Sequence, residues 1–488
     1  MAFPDTIEKI LLRACREQPQ KPFLQDEKRT LSMEEVCHRV QGICEAYRQI
    51  GLERGQILLY SAPRTIESAL VLLSGLVYGL FLFPFDHHFP LEEAVASLCP
   101  EQQAEAKLFW EEDGAVLRYQ EKQIRLDFLP KEGEFAPFNA NPNLPAIALF
   151  TSGSTGEFKA AIHCQRDIIE HLKTFRKVGS YREDDVLFLM LALHRIYGIA
   201  TILMGLYVRH SIYFPLSHDA EGMLQEAARQ KITRLDSVPA FFEAFAAKKA
   251  QRGVLLPTLR VGIIAGAPTR PDQIESIERN LDITLLPVYG MSEIWAISGL
   301  GEKATQEKRK STIGKPLSGS RVTIRSKSGK ILPSLRGGEI HVSSPCLMMG
   351  YFSKGAIDRS CFLPDGSFPT GDLGYFDAQG YLHITGRKED IVMRNGVALS
   401  CLAIETKVCR LANVKSACLV GIPSQNDGEV PALALVLKKG ASFDEAQLSI
   451  VLYKSEMPAK VLVLPSFPLL ATGKINKKRV KELFLENA

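Results

Sequence analysis

The sequence predicts an α/β protein with mostly parallel sheets, and three features of the chain support that class. Apolar runs that fit strands alternate with segments of helical periodicity up to about Gly299. Short strands and turns then dominate, which indicates a small β-rich segment. The alternation resumes after Gly386 in a tail of about 100 residues, which is long enough to fold as its own domain. A chain of 488 residues also exceeds what a single core serves, so two to four structural units are expected.

The first helix is expected to begin after Asp5, where apolar residues recur at helical spacing. A second begins at Ser32, since Glu35 three residues later completes a capping box, and a third ends near Gly79. The predicted strands include several apolar runs, as strands covered on both faces require. They are Ile57–Tyr60, Phe81–Phe83, Ala146–Phe150, Val186–Met190, Arg260–Ile264 and Thr284–Val288, with the short strands Arg321–Arg325, Gly338–Val342 and Tyr381–Ile384 in the β-rich segment.

Composition and charge exclude several classes of function. The formal net charge of +4 gives no reason to expect a nucleic-acid partner. Ten cysteines are scattered without a CxxC pair or zinc spacing, and the N-terminus lacks the apolar core of a signal peptide. We therefore expect reduced thiols in the cytoplasm and no export. The stretch Ser68–Phe85 is uncharged and about long enough to span a bilayer. Two glycines and Pro84 interrupt it, so a buried helix followed by a strand, without integral membrane association, is the preferred interpretation.

The clearest motif is a glycine- and hydroxyl-rich run that follows the predicted strand Ala146–Phe150. Glycines permit tight turns, backbone N–H groups can cradle phosphate oxygens, and Lys159 adds a positive charge. The spacing is not that of a Walker A loop. Taken alone, the run also fits a polar surface turn. Its residues are Thr151, Ser152, Gly153, Ser154, Thr155 and Gly156.

The run closely resembles the phosphate loop of the adenylate-forming superfamily, which includes acyl-CoA synthetases, luciferases and peptide-synthetase adenylation domains. Further signatures of that superfamily follow in its own order, and the resemblance extends from about residue 22 to the end of the chain. They are Ala265-Gly266-Ala267-Pro268, Tyr289-Gly290-Met291-Ser292-Glu293, Gly314-Lys315-Pro316, Gly350-Tyr351, Thr370-Gly371-Asp372, Gly386-Arg387-Lys388-Glu389-Asp390 and Thr472-Gly473-Lys474-Ile475.

The resemblance implies a large N-terminal domain over residues 1–386 that holds the ATP and acyl sites. Two mostly parallel α/β sheet subdomains and a small β-rich subdomain would form it. A small α+β C-terminal domain over residues 387–488 would act as a mobile lid that carries the catalytic lysine. The implied hinge is Glu389, the second residue after the arginine of the GR motif, where aspartate or lysine is commoner.

The resemblance also implies an ATP-binding role for each motif. Tyr289 would stack on adenine, since a flat ring suits a flat base, and Glu293 would bind magnesium beside the phosphates. Asp372 and Arg387 would contact the ribose. The plain alternatives are a core tyrosine, a glutamate at a helix start, a turn-capping aspartate and a solvated arginine. The remaining residues of the implied nucleotide pocket are Gly266, Ala267, Pro268, Gly290, Met291 and Ser292.

Lys474 is the implied catalytic residue. A carboxylate that attacks the α-phosphate meets another anion, and an ammonium that bridges both lowers that repulsion and stabilises the transition state. The alternative is that Lys474 is one of several tail lysines, but it follows Thr472-Gly473 directly. Gly396 matches the glycine beside the channel for the pantetheine arm of coenzyme A, where a side chain would obstruct the thiol.

The segment Leu191–Gly198 bears on the acid substrate. Acyl- and aryl-CoA ligases carry a similar histidine, here His194, at the border of the acyl pocket. No acidic residue lies between Val186 and Tyr207, which argues against an α-amino acid. Arg195 would meet a second carboxylate or form a salt bridge, and the salt bridge is the plainer interpretation. The run Lys159–His163 is similar to that of o-succinylbenzoate–CoA ligases.

These observations favour an acyl-CoA synthetase that uses ATP, Mg2+, a small carboxylic acid and coenzyme A. One alternative is a stand-alone adenylating enzyme that loads a carrier protein, and a fatty-acyl-AMP ligase is a variant of it. Another is a non-catalytic relative, although Lys474, Glu293 and Asp372 are all present.

Overall fold

The computed structural model describes residues 5–86, 106–111, 114–131, 135, 137–151, 159–353, 355–394, 397–424, 428–469 and 475–486. The α-helices of these residues are α1 Ile7–Glu17, α2 Met33–Ile50, α3 Ile66–Tyr78, α4 Gln165–Val178, α5 Ile196–Val208, α6 Ala220–Arg229, α7 Pro239–Arg252, α8 Pro271–Leu281, α9 Gln306–Ser311, α10 Cys401–Val408, α11 Leu448–Val451 and α12 Lys477–Glu486. Short 3-10 helices occupy Lys388–Asp390, Glu445–Gln447 and Lys454–Glu456.

The strands follow in chain order. Those up to Gly299 are β1 Pro22–Gln25, β2 Thr30–Ser32, β3 Ile57–Ser61, β4 Phe81–Phe85, β5 Ala106–Glu111, β6 Gly114–Tyr119, β7 Lys122–Leu126, β8 Pro145–Thr151, β9 Lys159–Cys164, β10 Val186–Leu189, β11 Ser211–Tyr213, β12 Arg234–Asp236, β13 Val261–Ile264, β14 Thr284–Met291 and β15 Trp295–Gly299. The later strands are β16 Lys315–Pro316, β17 Arg321–Arg325, β18 Gly338–Ser343, β19 Gly350–Ser353, β20 Ala356–Asp358, β21 Phe368–Phe376, β22 Leu382–Arg387, β23 Ile391–Arg394, β24 Val397–Ser400, β25 Val414–Ser424, β26 Gly428–Leu437 and β27 Lys460–Val463.

Two nine-stranded sheets form the larger part of the fold. The first has the order β16-β15-β14-β13-β12-β10-β11-β1-β2 and is parallel from β14 to β1. The second has the order β20-β19-β9-β8-β4-β3-β5-β6-β7 and is parallel at its centre, from β8 to β5. Antiparallel strands extend both of its edges. The predicted α/β class is confirmed.

The helix boundaries follow local capping. Ser32 and Glu35 form the predicted capping box of α2, and α3 ends at Gly79, whose φ of 90° is left-handed. Thr6 caps α1, so this helix begins two residues after Asp5. Within the described residues, none of the helices is long and apolar enough to cross a membrane.

Several strands run further than the sequence predicted, and β4 and β14 are two of them. β4 continues through Pro84 to Phe85, paired with β3. On its other side β4 pairs with β8 only at Leu82, so the missing N–H of Pro84 costs no ladder hydrogen bond there. β14 passes Val288 and reaches Met291, because the chain turns back as an antiparallel hairpin with β15.

The chain forms two compact units. Unit 1 comprises residues 1–321 and 342–368, and unit 2 comprises residues 322–341 and 369–488. These limits differ from the predicted boundary after Gly386, because most of the four-stranded sheet β17-β18-β21-β22 groups with the tail. Unit 2 also holds the sheet that β23 to β27 form. A lid rotation about Glu389 stays a prediction.

Candidate active site

The motif Tyr289–Glu293 lies in the hairpin between β14 and β15. The N–H of Ile294 donates to the Met291 carbonyl over 3.1 Å and closes the turn. Trp295 has a φ of 67°, a left-handed conformation that is rare for a bulky residue. A Cβ atom at Gly290 would lie 2.1 Å from the Trp295 carbonyl oxygen, so only glycine fits there. Glu293 therefore stands in a hairpin turn, and the alternative of a helix-start glutamate is wrong.

Glu293 is almost buried, with 7% of its surface exposed. The hydroxyl of Tyr351, on β19, donates to Glu293 Oε1 over 2.7 Å. Burial, followed by the charge of Glu293, raises the pKa of Tyr351 far above its ordinary value, so the phenol stays a neutral donor. The contact fixes the direction of the carboxylate.

The Glu293 site fits magnesium in the way this ion is usually bound. Mg2+ prefers hard oxygen ligands and is commonly held by one or two carboxylates together with substrate phosphates. Glu293 offers one oriented carboxylate, and the described residues contain no larger cluster of acidic, histidine or cysteine ligands. Glu293 is therefore the described residue that would hold a magnesium ion beside the phosphates of ATP.

A buried group of aromatic and histidine rings packs against the hairpin and hydrogen-bonds to it. His163, on β9, is fully buried, and its Nε2 lies 2.7 Å from the Ser292 carbonyl oxygen. Its Nδ1 lies 3.0 Å from Asp167 Oδ1 and 3.0 Å from Trp295 Nε1. Asp167 in turn accepts from the N–H of Cys164 over 2.8 Å. The turn that carries Glu293 is thus tied to a different sheet.

The pKa values of the two histidines in this group are shifted in opposite directions. Burial opposes a charge on His163, but Asp167 and the Ser292 carbonyl outweigh it, so the pKa of His163 is raised. With Nε2 protonated, His163 donates to the Ser292 carbonyl. Its Nδ1 accepts from the indole N–H of Trp295 in the neutral ring and donates to Asp167 in the charged ring. His171 stacks on Trp295 at 5.3 Å between centroids. Burial, with the neighbouring His163, lowers the pKa of His171 to about 3, so this ring is neutral.

The predicted phosphate loop connects two paired strands. β8 and β9 are antiparallel, and Thr151 is paired with Lys159 at the end of their ladder. The two ends of the motif therefore lie opposite each other. Ser152, Gly153, Ser154, Thr155 and Gly156 lie outside the described residues.

The residues of the expected adenine pocket lie on, or directly after, two neighbouring strands. β13 and β14 are parallel, with Ile264 opposite Pro287, so the segment 265–268 and Tyr289 follow adjacent strand positions. Gly266 has a φ of 85°, which favours glycine, and Gly266, Ala267 and Pro268 are exposed. Tyr289 is only 8% exposed, and its stacking on adenine stays a prediction.

Asp372 and Arg387 come together within unit 2. They face each other across β21 and β22, and Arg387 Nε donates to Asp372 Oδ1 over 3.0 Å. Asp372 is 6% exposed, whereas half of the Arg387 side chain is exposed. An open cavity of about 350 Å³ lies beside the pair, lined by Thr370, Gly371, Arg387, Lys388 and Glu389.

Of the remaining predicted residues of the tail, one is described. Glu389 lies in the 3-10 turn between β22 and β23 and accepts a hydrogen bond from Arg387 Nη1 over 3.2 Å. Gly396 and Lys474 lie outside the described residues.

His194 lies where the two nine-stranded sheets approach each other in unit 1. Its Nε2 is 3.7 Å from Asp86 Oδ2, directly after β4. Arg195 follows and precedes α5. At the second residue of α5, the Tyr197 hydroxyl donates to the Ile263 carbonyl over 2.9 Å. The predicted acyl segment is thereby tied to the strand that leads into residues 265–268.

Three residues of this site have no role in the sequence interpretation. Tyr351 stands in a recognised motif, Gly350-Tyr351, and that motif was the signal available for it. His163 ends the run Lys159–His163, but its contact with Ser292 crosses 129 positions of the chain. Trp295 carries no motif at all.

Comparisons with known proteins bear on the family and the fold of the chain. Over 98% of the chain and 97% of the relative, it is 24% identical to the sulfoacetate–CoA ligase of Cupriavidus necator. It is 28% identical to the 4-coumarate–CoA ligase-like 4 of Oryza sativa subsp. japonica, over 70% of the chain and 63% of that relative. The fold is that of ATP-bound MatB from Rhodopseudomonas palustris, with a TM-score of 0.88, 22% identity and 99% of both chains covered.

The family model described as AMP-binding enzyme matches residues 11–352, which is more than half of the chain. Together with relatives named as CoA ligases, this match confirms the predicted enzyme class, an ATP-dependent acyl-CoA synthetase, at the level of the family. The resemblance that the ordered motifs indicated is confirmed as well: the chain belongs to the AMP-binding enzyme family.

Proposed function

We propose that this enzyme activates a small carboxylic acid with ATP and then transfers the acyl group to coenzyme A. In the first half-reaction an oxygen of the acid attacks the α-phosphate of ATP, an acyl-adenylate forms and pyrophosphate leaves. In the second, the thiolate sulfur of coenzyme A attacks the acyl carbonyl carbon, a thioester forms and AMP leaves.

The observation that carries this proposal is the buried carboxylate of Glu293, oriented by Tyr351 on an anchored hairpin. Phosphoryl chemistry needs little covalent help from a protein, and it depends mainly on positioning and electrostatic stabilisation. Glu293 would hold Mg2+, which would supply positive charge that stabilises the phosphates of bound ATP.

The other predicted residues complete the proposed site. The loop Thr151–Gly156 and Lys159 would hold the phosphates, and Asp372 with Arg387 would hold the ribose. Lys474 would bridge the attacking carboxylate and the α-phosphate. Glu389 would be the pivot between the two half-reactions.

Coenzyme A is the proposed acceptor. Both relatives compared above are named as CoA ligases or resemble them by name, which supports free coenzyme A rather than a carrier protein. Gly396 would leave room for the pantetheine arm. Nine free thiols among the described residues agree with the proposed cytoplasmic setting.

The test is pyrophosphate release from ATP with a panel of carboxylic acids, measured with and without coenzyme A, and with mass spectrometry of the products. We expect acid-dependent pyrophosphate release and an acyl-CoA product. Lys474→Ala should reduce release by about 10²–10³-fold. Gly396→Leu should leave acyl-adenylate formation intact and block the thioester.

Two outcomes would contradict the proposal. If wild-type enzyme accumulates acyl-adenylate and never forms acyl-CoA, the acceptor is not coenzyme A but another thiol, such as that of a carrier protein. Near-normal pyrophosphate exchange by Lys474→Ala would remove the proposed role of Lys474.

A further inference from the structure

Four charged or titratable side chains follow strands at the carboxyl ends of the two nine-stranded sheets in unit 1. Arg64 follows β3 and Asp86 follows β4, while His194 and Arg195 follow β10. Arg64 Nη1 lies 3.5 Å from Met190 Sδ, and its Nη2 lies 3.4 Å from the Pro215 carbonyl oxygen. Like the contact between His194 and Asp86, these contacts join one sheet to the other.

Most arginines of unit 1 that are not exposed are paired with a carboxylate within 4.0 Å. Eight such arginines occur among its described residues. Six have acidic partners: Arg39 with Glu35, Arg209 with Glu183, Arg234 with Asp236, Arg260 with Asp185, Arg270 with Asp272 and Arg309 with Glu278. The two exceptions within the described part of the unit are Arg64 and Arg195.

Of the two arginines, Arg195 has the fewer polar contacts. Arg64 at least reaches a carbonyl oxygen, whereas Arg195 has no hydrogen bond or ion pair among the described residues. Burial lowers the pKa of Arg195, and the more distant Asp86 only partly offsets that effect. Among the described residues neither guanidinium has a carboxylate within 4.0 Å, since Asp86 acts on Arg195 and Glu226 acts on Arg64 from further away. A positive charge in a partly dehydrated place without a close counter-ion is costly until an anion arrives.

This charge lies beside the proposed adenylation site. Arg195 follows His194, the predicted border of the acyl pocket. Two residues later, Tyr197 donates to the Ile263 carbonyl at the end of β13. An acid whose reacting carboxylate points towards the nucleotide would therefore direct its other end at Arg195.

We propose that Arg195 binds a second anionic group of the substrate, so that the acid is a small dicarboxylic or sulfocarboxylic acid. This inference rests on the proposed function and narrows its substrate class. A guanidinium matches a carboxylate or sulfonate with two parallel hydrogen bonds. An acid with an apolar end leaves the buried guanidinium without its partner, which is the arrangement that produces strong discrimination.

The test uses acids that differ only in the second anion. Pyrophosphate release is measured with malonate against propionate, succinate against butyrate, and sulfoacetate against propionate. For wild-type enzyme, kcat/KM should be at least about 100-fold higher for one or more of the dianions than for its matched monoacid. Arg195→Ala should lose that preference, with the rate for the monoacid unchanged or raised.

Two further variants keep the test sharp. Arg209→Ala removes the arginine at the other end of α5, which is paired with Glu183, and should leave the ratio of dianion to monoacid unchanged. Arg195→Gln has a similar size to the native residue and guards against a folding defect. With this variant, the preferred dianion should no longer raise the Tm of the enzyme bound to a non-hydrolysable ATP analogue, as it should for wild type.

The failures of the two proposals are distinguishable. If wild-type enzyme releases pyrophosphate with monoacids, and Arg195→Ala does not change the ratio of dianion to monoacid kcat/KM, the anion subsite is overturned. Adenylation would remain intact. Absence of release with every acid of both classes would overturn the proposed function and the subsite together.

Discussion

Two hairpins carry the acidic residues that the motifs single out, and they are built differently. The turn between β14 and β15 presents Glu293, and the hairpin β21–β22 presents Asp372, each with less than a tenth of its surface exposed. Glu293 is held by a phenol from another strand, and its turn is anchored through His163. Asp372 is held by Arg387, which stands directly opposite in the same hairpin and is half exposed.

The two carboxylates therefore differ in what positions them: residues distant in sequence position Glu293, whereas the opposite strand of the same hairpin positions Asp372. The position of Glu293 depends on residues far away in the sequence, so substitutions behind the turn should alter it. The pair of Asp372 and Arg387 depends on strand register alone. Substitutions of the residues behind the turn should therefore alter activity through Glu293, whereas substitutions near Asp372 should affect only the predicted nucleotide contact. Four substitutions test this contrast.

Glu293→Gln should have the largest effect, a loss of about 10²–10³-fold in the rate of pyrophosphate exchange. The reason is that the amide keeps the shape but removes the charge proposed to face Mg2+. The measurement is exchange rate against Mg2+ concentration, and the variant should need more Mg2+ to reach its half-maximal rate. Glu275→Gln, an exposed acid paired with Lys310, should match wild type. An unchanged Mg2+ dependence in Glu293→Gln would contradict the assignment.

Asp372→Asn should reduce kcat/KM for ATP by about 10–100-fold, mostly through KM, since hydrogen bonds to a charged group contribute roughly 1.5–3 kcal/mol. The measurement compares ATP with 2′-deoxy and 3′-deoxy ATP. The variant should discriminate less than wild type against the deoxy nucleotide that lacks the bound hydroxyl. Asp377→Asn, at the other end of the hairpin, is the control and should keep the wild-type discrimination. Equal discrimination by Asp372→Asn and wild type would show that Asp372 does not bind the ribose.

Tyr351→Phe should reduce the exchange rate by about 10-fold, because it removes one hydrogen bond to a charged group and leaves the ring in place. The informative measurement is a double-mutant cycle with Glu293→Gln. If Tyr351 acts by orienting Glu293, the second substitution should add almost nothing to the first. Additive losses would mean that Tyr351 acts independently.

His163→Gln should have the smallest effect on activity, a few-fold loss, since the amide can still donate to the Ser292 carbonyl. Its main effect should be on stability as a function of pH. The pKa of His163 is raised in the folded protein, so its charge stabilises the fold fully below about pH 6.5, the ordinary unfolded value. That contribution is lost as the pH rises through the raised pKa.

The corresponding measurement is the Tm of both proteins from pH 5 to 9. The difference between wild type and His163→Gln should be largest at low pH and should shrink as the pH rises. His218→Gln, a histidine of unit 1 outside this ring group, is the control. A difference that does not depend on pH would show that His163 carries no titrating contact.

The sequence predicted what depends on local patterns. The capping box at Ser32 and the end of α3 at Gly79 follow from neighbouring residues, and both are confirmed. The ordered motifs indicated the family, and that is confirmed too. Their functional roles, including those of Lys474 and Gly396, stay predictions.

What the sequence could not predict depends on pairing between distant segments. Pro84 continues β4 because its neighbour β8 does not need its missing N–H, which is visible only from strand order. The hairpin after Val288 requires Trp295 in a left-handed conformation, which residue propensities disfavour. The support of Glu293 by Tyr351 joins positions 58 residues apart. No local pattern contains these contacts.

The tight turn at Gly290 has a consequence for mutational scanning. Gly290 is exposed, so a survey that ranks positions by burial would class it as tolerant. Its missing side chain would nevertheless collide with backbone, which cannot move aside as a flexible side chain can. Alanine, serine and every larger residue should fail alike at this position. In a fitness map of this protein, Gly290 should therefore appear as an isolated intolerant point on the surface, with no gradation by size or polarity.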